Sequence, residues 1–193
     1  MRFVTFLIIV VVAIFGGLYY YGIFSPVNIV ESEQGPYILV YDKHVGPYSK
    51  IGPVMDNIFN RLKTDGIDST TGFGLYYDNP DKTPELSLRS IGGCIIGNVD
   101  YTTLKKMHET FFVKEITRFK CLKADFPYKG KVSIIMGVFR VYPAIKKYMK
   151  LHELPDMPIA EIYDEKGGKI TYIIPTGLSH EMLLGLYERA ENK

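Results

Sequence analysis

The hydrophobic pattern opens with its longest feature. Between Arg2 and Glu31 no charged residue occurs, and Phe3 to Phe24 is almost wholly apolar. At about 1.5 Å per residue that run makes a helix of roughly 33 Å, a match for a bilayer core of about 30 Å. Tyr19, Tyr20 and Tyr21 close the run, as aromatic residues do at a membrane interface, and no A-x-A site follows. Residues 1–24 therefore read as an uncleaved single-pass anchor, spanning through residues 3–24, rather than as a signal peptide. Arg2 before the run and Glu31 and Glu33 after it orient the N-terminus toward the cytosol. Residues 25–36 hold two prolines and no period, the pattern of a short extended tether.

A second, different rhythm starts at Tyr37. Tyr37, Leu39 and Tyr41 alternate with Ile38 and Val40, which predicts a strand stopping at Gly46-Pro47. Ile51, Met55, Ile58, Phe59 and Leu62 recur at helical spacing up to Gly66. Two extended runs follow, Thr71 to Tyr77 and Leu86 to Ile96, joined by the turn residues Asp78-Asn79-Pro80-Asp81. The order is β-α-β-β, and it recurs. Phe111 to Phe126 reads as a strand and Val132 to Met149 as a helix kinked by Pro143. Ile159 to Tyr163 and Lys169 to Ile174 form a hairpin around Gly167-Gly168. Pro47-Tyr48 is echoed by Pro127-Tyr128, and Tyr76-Tyr77-Asp78 by Ile162-Tyr163-Asp164. The pattern predicts an α+β domain over 37–176, duplicated over about 37–97 and 111–176. Within 177–193, Ser179 to Ala190 forms a closing helix that turns Met182, Leu183, Leu186 and Tyr187 to the domain.

Composition narrows the function classes. The 193 residues carry 23 Lys and Arg against 21 Asp and Glu, a net charge of +2. So even a balance offers no electrostatic lure, and no nucleic-acid partner is expected. Two cysteines, Cys94 and Cys121, make no disulfide scaffold and no C-x-x-C pair. His44, His108, His152 and His180 lack metal-ligand spacing, so neither a metal nor a cofactor is expected. Cys94 follows Gly92-Gly93 with no patterned base, and no nucleophile elbow or P-loop is present. The two glycines fit a bulge or a close strand approach. Lys146, Lys147 and Lys150 read as a solvated helix face, with contact to a membrane surface as the other reading.

Val40-Tyr41, Gly46-Pro47-Tyr48, Gly74-Leu75-Tyr76-Tyr77-Asp78-Asn79-Pro80, Ala160-Glu161-Ile162-Tyr163 and Tyr172-Ile173-Ile174-Pro175 together resemble the GyrI-like effector-binding family. The resemblance implies two β-α-β-β units about a pseudo-two-fold axis, as in SOUL-like folds. It also implies a central groove for small, often aromatic or cationic molecules. With its N-terminal anchor and the stretch Phe126-Pro127-Tyr128 through Tyr142-Pro143-Ala144, the chain further resembles the membrane-anchored animal members that serve autophagy of the endoplasmic reticulum. In those members the domain faces the cytosol, opposite to the reading of Arg2, and a long disordered tail follows; this sequence ends at Lys193.

Glu161 is the foremost candidate. It stands in an apolar strand among Ile159, Ala160 and Ile162, where a carboxylate needs a cation, a donor or solvent. By the Tyr-Asp echo its counterpart in the first half is Leu75. The resemblance implies that the matching glutamate lines the groove, meets cationic ligands and in some members takes part in hydrolysis; the plain alternative is a rim glutamate in solvent or paired with Arg89. Tyr41, Tyr48, Tyr77, Tyr128 and Tyr163, chosen by strand phase or by adjacency to the Pro-Tyr turns, are the aromatic candidates for sandwiching a planar or cationic ligand, with ordinary packing as the alternative. The leading expectation is a membrane-anchored small-molecule binder. Beside it stand an endoplasmic-reticulum or autophagy adaptor with a protein partner, and a hydrolase using Glu161 as base. For a haem carrier no histidine stands out as axial ligand.

Overall fold

In a computed structural model, the structure describes residues 2–188 except 68, 70 and 98. The apolar run forms helix α1 (Arg2–Tyr20), long and apolar enough to cross a membrane, with a mean hydropathy of 2.4 and no residue of that window buried. A helix of this kind serves equally as a span or as a signal sequence. It ends in a Schellman turn, in which the Gly22 N–H donates to the Tyr19 carbonyl and the Ile23 N–H to that of Leu18. Gly22 takes a φ of +86°, a conformation that side chains with a Cβ resist.

The stretch read as a tether contributes a strand, β1 (Val30–Gln34), against the edge of the sheet. Its sequence, Val-Glu-Ser-Glu-Gln, carries no apolar alternation because an edge strand needs only its backbone to pair. β2 (Tyr37–Val45), α2 (Gly52–Thr64), β3 (Thr71–Tyr76) and β4 (Arg89–Ile96) follow in the expected β-α-β-β order. Residues 111–126 do not make one strand. The chain runs through helix α3 (Tyr101–Thr110), then β5 (Phe112–Ile116), then β6 (Phe119–Pro127). Asp100 caps α3 by accepting from the N–H groups of Thr102 and Thr103.

The chain continues with α4 (Lys131–Leu151), β7 (Ile159–Asp164) and β8 (Lys169–Ile174). α4 stays one helix through Pro143, whose ring lies on the exposed side where a missing ladder bond costs least. The closing helix is α5 (His180–Glu188); the last positions of the predicted segment lie outside the described residues.

Among the described residues eight strands join one curled antiparallel sheet in the order β1-β6-β8-β7-β3-β4-β2-β5, so the protein is mixed α+β. From the β7–β3 seam outward, the strands read β7, β8, β6 on one side and β3, β4, β2 on the other. One face carries α2 over Val40 and Cys94, and α4 over Phe126 and Tyr172. The opposite face is covered by α5, whose Leu183, Leu186 and Tyr187 pack with Leu39, Tyr41, Phe73 and Leu75. Gly93 marks a close approach of β4 to β2, since a Cβ there would lie 2.0 Å from the Val40 carbonyl oxygen.

Candidate functional site: a buried carboxylate among tyrosines

Strand register decides what surrounds Glu161. In β7 it pairs with Gly74 of β3, and Gly74 pairs in turn with Gly92 of β4, so these three share one face. Leu75 lies one residue on and therefore faces the other layer, packed under α5. Across the seam the neighbour of Glu161 is therefore Gly74, while Leu75, its counterpart by the Tyr-Asp echo, belongs to the opposite face. A one-residue slip exchanges the faces of every side chain in a strand.

Glu161 is only 2% exposed. Tyr142, reaching down from α4, donates its hydroxyl to Oε1 at 2.6 Å, and Tyr163 donates to Oε2 at 2.5 Å. The hydroxyls of Tyr76 and Tyr163 lie 3.0 Å apart. With the Tyr163 proton committed to Glu161, Tyr76 is the donor of that contact, and the chain runs Tyr76 to Tyr163 to Glu161. The Tyr48 ring meets the Tyr76 ring edge-on at 4.8 Å, and the Tyr142 ring meets Tyr172 in the same way at 5.8 Å.

The glycines create the room. A Cβ on Gly74 would fall 2.8 Å from the Tyr76 hydroxyl, and one on Gly92 would meet Ile51 and Met55. Burial pushes the Glu161 carboxyl above the usual carboxylate range, and the two tyrosine donors offset part of that push. Tyr76, Tyr142 and Tyr163 are pushed well above the ordinary phenol range, first by burial and then by the Glu161 charge. All three are neutral donors at neutral pH. Arg89 does not serve Glu161; it pairs with Asp78 at 2.8 Å. No Lys, Arg or His forms an ion pair with Glu161 among the described residues.

Of the five tyrosines read from the sequence, Tyr163 touches Glu161 directly. Tyr48 stands one ring further out, its hydroxyl donating to the Asp78 carbonyl at 2.8 Å and accepting from the Asp78 N–H. Tyr41 and Tyr77 lie on the opposite face, where their hydroxyls donate to the carbonyls of Leu186 and Leu183 in α5. Tyr128 sits past the end of β6 against the α4 cluster, without a hydrogen bond to Glu161 among the described residues. Sequence reasoning passed over Tyr76, Tyr142 and Tyr172. The signal for Tyr76 was its phase with Gly72 and Gly74; Tyr142 lay at the edge of the apolar side of α4, next to Pro143. Cys94 and Cys121 are free and buried. No group of three or more His, Cys, Asp or Glu is placed to hold a metal ion among the described residues.

The curled antiparallel sheet with its helices is consistent with a GyrI-like fold. The chain is similar to the C-terminal domain of EcmrR, with a TM-score of 0.55 at 12% identity, covering 77% of this chain and 96% of that one. It is equally similar to EcmrR in a cryo-EM structure of its DNA complex, with a TM-score of 0.54 at 12% identity, covering 77% and 57%. At such identity the likeness is one of fold alone. Since EcmrR is seen there on DNA, the fold does not exclude a nucleic-acid partner, and the expectation of none rests on charge.

In sequence the chain is 27% identical over 174 residues to testis-expressed protein 264 of Homo sapiens, covering 83% of this chain and 52% of that protein. It is 26% identical over 164 residues to the testis-expressed protein 264 homolog of Mus musculus, covering 80% and 50%. The chain thus spans about half the length of the curated relatives it matches. No family model matches it.

Proposed function

We propose that this chain is a single-pass membrane protein whose duplicated GyrI-like domain binds a small organic cation, with aromatic or apolar flanks, at Glu161. The observation that carries this reading is a carboxylate at the sheet centre, 2% exposed and without a cationic partner among the described residues, held only by neutral tyrosine hydroxyls. Such a group is costly to bury charged, and a ligand cation is the partner that relieves the cost. The tyrosine-rich surroundings favour a cation with soft, weakly hydrated surface over a metal ion.

Tyr142 is the side chain to be displaced on entry. It belongs to α4 immediately before Pro143, where the helical ladder lacks a bond, so this turn of α4 is the one most easily opened. In the closed domain each carboxylate oxygen accepts a tyrosine hydroxyl, which weakens Glu161 as a base and disfavours the hydrolase. The adaptor reading, at the endoplasmic reticulum and with a protein partner, draws on the likeness to testis-expressed protein 264 and on α1 as anchor.

An isosteric pair of probes tests the proposal. Phenyltrimethylammonium and its neutral carbon analogue tert-butylbenzene differ in charge and hardly in shape. The intact protein is expected to prefer the cation, and Glu161→Gln to lose that preference while keeping affinity for the neutral analogue. An unchanged preference in the variant would remove Glu161 from the site.

A further inference from the structure

The outward side of α4 is unlike that of any other helix in the domain. Val132, Ile135, Val138 and Phe139 recur along it and stand in the open, Phe139 at 69% exposure and Ile135 at 53%. Further along the same side come Lys146 and Lys150. From Lys131 to Leu151 the helix carries Lys131, Arg140, Lys146, Lys147 and Lys150 and no acidic residue at all. The bare apolar turns also lie close to where α1 ends. A Cβ on Gly22 would fall 3.2 Å from both Phe126 and Pro127, so the Schellman turn sits against the strand that leads into α4. Arg140 donates to the Ser25 carbonyl at 3.3 Å, and Val27 and Ile29 pack on the cluster that holds the inner side of α4.

We infer that this face of α4 is a second membrane contact, one that lies in the bilayer interface and binds anionic lipid headgroups. The inference rests on the reading of α1 as a membrane anchor. That anchor's apolar run closes at Phe24, so Ser25 marks the level of the interface. Arg140, in contact with Ser25, is held at the same level, and the neighbouring Phe139 and Ile135 are set to enter the headgroup and acyl boundary. An interfacial helix combines such an apolar ridge with basic residues beside it, and each lysine or arginine near an anionic leaflet adds attraction. Lys146 bonds Asp81 at the exposed rim, a contact that solvent and lipid phosphate compete for readily. The anchor and α4 together would fix the domain's tilt, holding the Tyr142 side of the domain close to the lipid, where an amphiphilic cation concentrates.

The chain contains no tryptophan, so one introduced residue is a clean reporter. The full-length protein is reconstituted in vesicles of phosphatidylcholine and phosphatidylserine with acyl-brominated lipid as quencher. Phe139→Trp is compared with Phe59→Trp, which sits half-exposed on α2 at the other half of the sheet. Phe139→Trp is expected to show blue-shifted emission and to lose most of it to the brominated lipid, less so when phosphatidylserine is omitted. Phe59→Trp is expected to be quenched little. Quenching no stronger at 139 than at 59 overturns the inference, as does a blue shift at 139 without quenching, which would mean that protein covers the face. Should Phe139→Trp fail to fold, Ile135→Trp, one turn earlier on the same ridge, reads the same property. Flotation at alkaline pH separates the two readings: a chain that does not float refutes the anchor, whereas a floating chain with an unquenched reporter refutes only the α4 contact.

Discussion

Tyr142 holds Glu161 by a 2.6 Å hydrogen bond from the residue immediately before Pro143, so the carboxylate's cover hangs on the weakest turn of α4. This gives Tyr142 two opposed roles, support for the closed domain and obstruction to a ligand. Tyr142→Phe removes a donor to a buried charged acceptor, a loss of about 2 kcal/mol at mildly alkaline pH. The loss is expected to shrink in acid, where a protonated Glu161 accepts more weakly. Affinity for phenyltrimethylammonium should rise by up to about tenfold, because the ligand no longer has to break the bond. Urea denaturation and calorimetry on the same preparation check both. A variant less stable and weaker in binding would show that Tyr142 holds the ligand rather than excluding it.

Glu161 also fixes a pH dependence whose sign follows from its shift. Burial raises its carboxyl above the usual range, so the folded protein keeps this proton to higher pH than the unfolded chain does. Glu161 therefore favours the folded state most below the unfolded carboxylate range, and that contribution is lost as pH rises through the folded pKa. Glu161→Gln cannot titrate. Denaturation midpoints of the intact protein and the variant should lie closest in acid, and the gap should widen in favour of the variant toward neutral pH. A constant gap would mean that the Glu161 carboxyl titrates alike in the folded and the unfolded chain, and a gap that widens in acid would mean that a cation holds it charged in the fold.

Most of the domain is legible in residue rhythm, and what escapes it does so for identifiable reasons. The alternation from Tyr37 and the helical spacing of Ile51, Met55, Ile58 and Leu62 are strong because each element buries one full face. β1 has no such face to bury. α3 is short and buries chiefly Met107, so Thr102, Thr103, Lys105 and Lys106 hide its period, although Asp100 supplied a capping signal. At the site, Glu161 announces itself as a carboxylate in an apolar strand. Its companions do not, because which of Tyr76 and Tyr77 shares its face depends on register across β3 and β7, and a pairing between distant strands is not written in either one alone.

The glycines of β4 offer a test of the sheet itself. A Cβ on Gly93 would lie 2.0 Å from the Val40 carbonyl oxygen and 2.7 Å from the Tyr41 Cα, so the backbones of β2 and β4 would have to part. Gly93→Ala is expected to cost about 3 kcal/mol or to prevent folding, the upper end of overpacking penalties. Gly97→Ala, where nothing lies within 4 Å, should change stability by no more than about 0.5 kcal/mol. Thermal denaturation of the pair decides it, and a tolerated Gly93→Ala would contradict the β2–β4 register.

The last relationship concerns α5, which lies across the sheet from Glu161. Its nine residues are too few for a helix to persist alone, so its stability comes from Leu183, Leu186 and Tyr187 against the sheet and from the two tyrosine hydroxyls that reach its carbonyls. An apolar cavity of about 50 Å³, lined among others by Phe73, Leu75, Leu183 and Leu186, already lies beneath it. Leu186→Ala enlarges that space and should cost about 3 kcal/mol. Tyr41→Phe and Tyr77→Phe each remove one bond to α5 and should cost about 1 kcal/mol. None of the three touches the Glu161 face, so affinity for phenyltrimethylammonium should stay within about twofold, a change of no more than about 0.4 kcal/mol. Denaturation and calorimetry together separate the two layers. A marked loss of cation binding in Tyr41→Phe or Tyr77→Phe, with the fold intact, would move the ligand to the α5 side of the sheet.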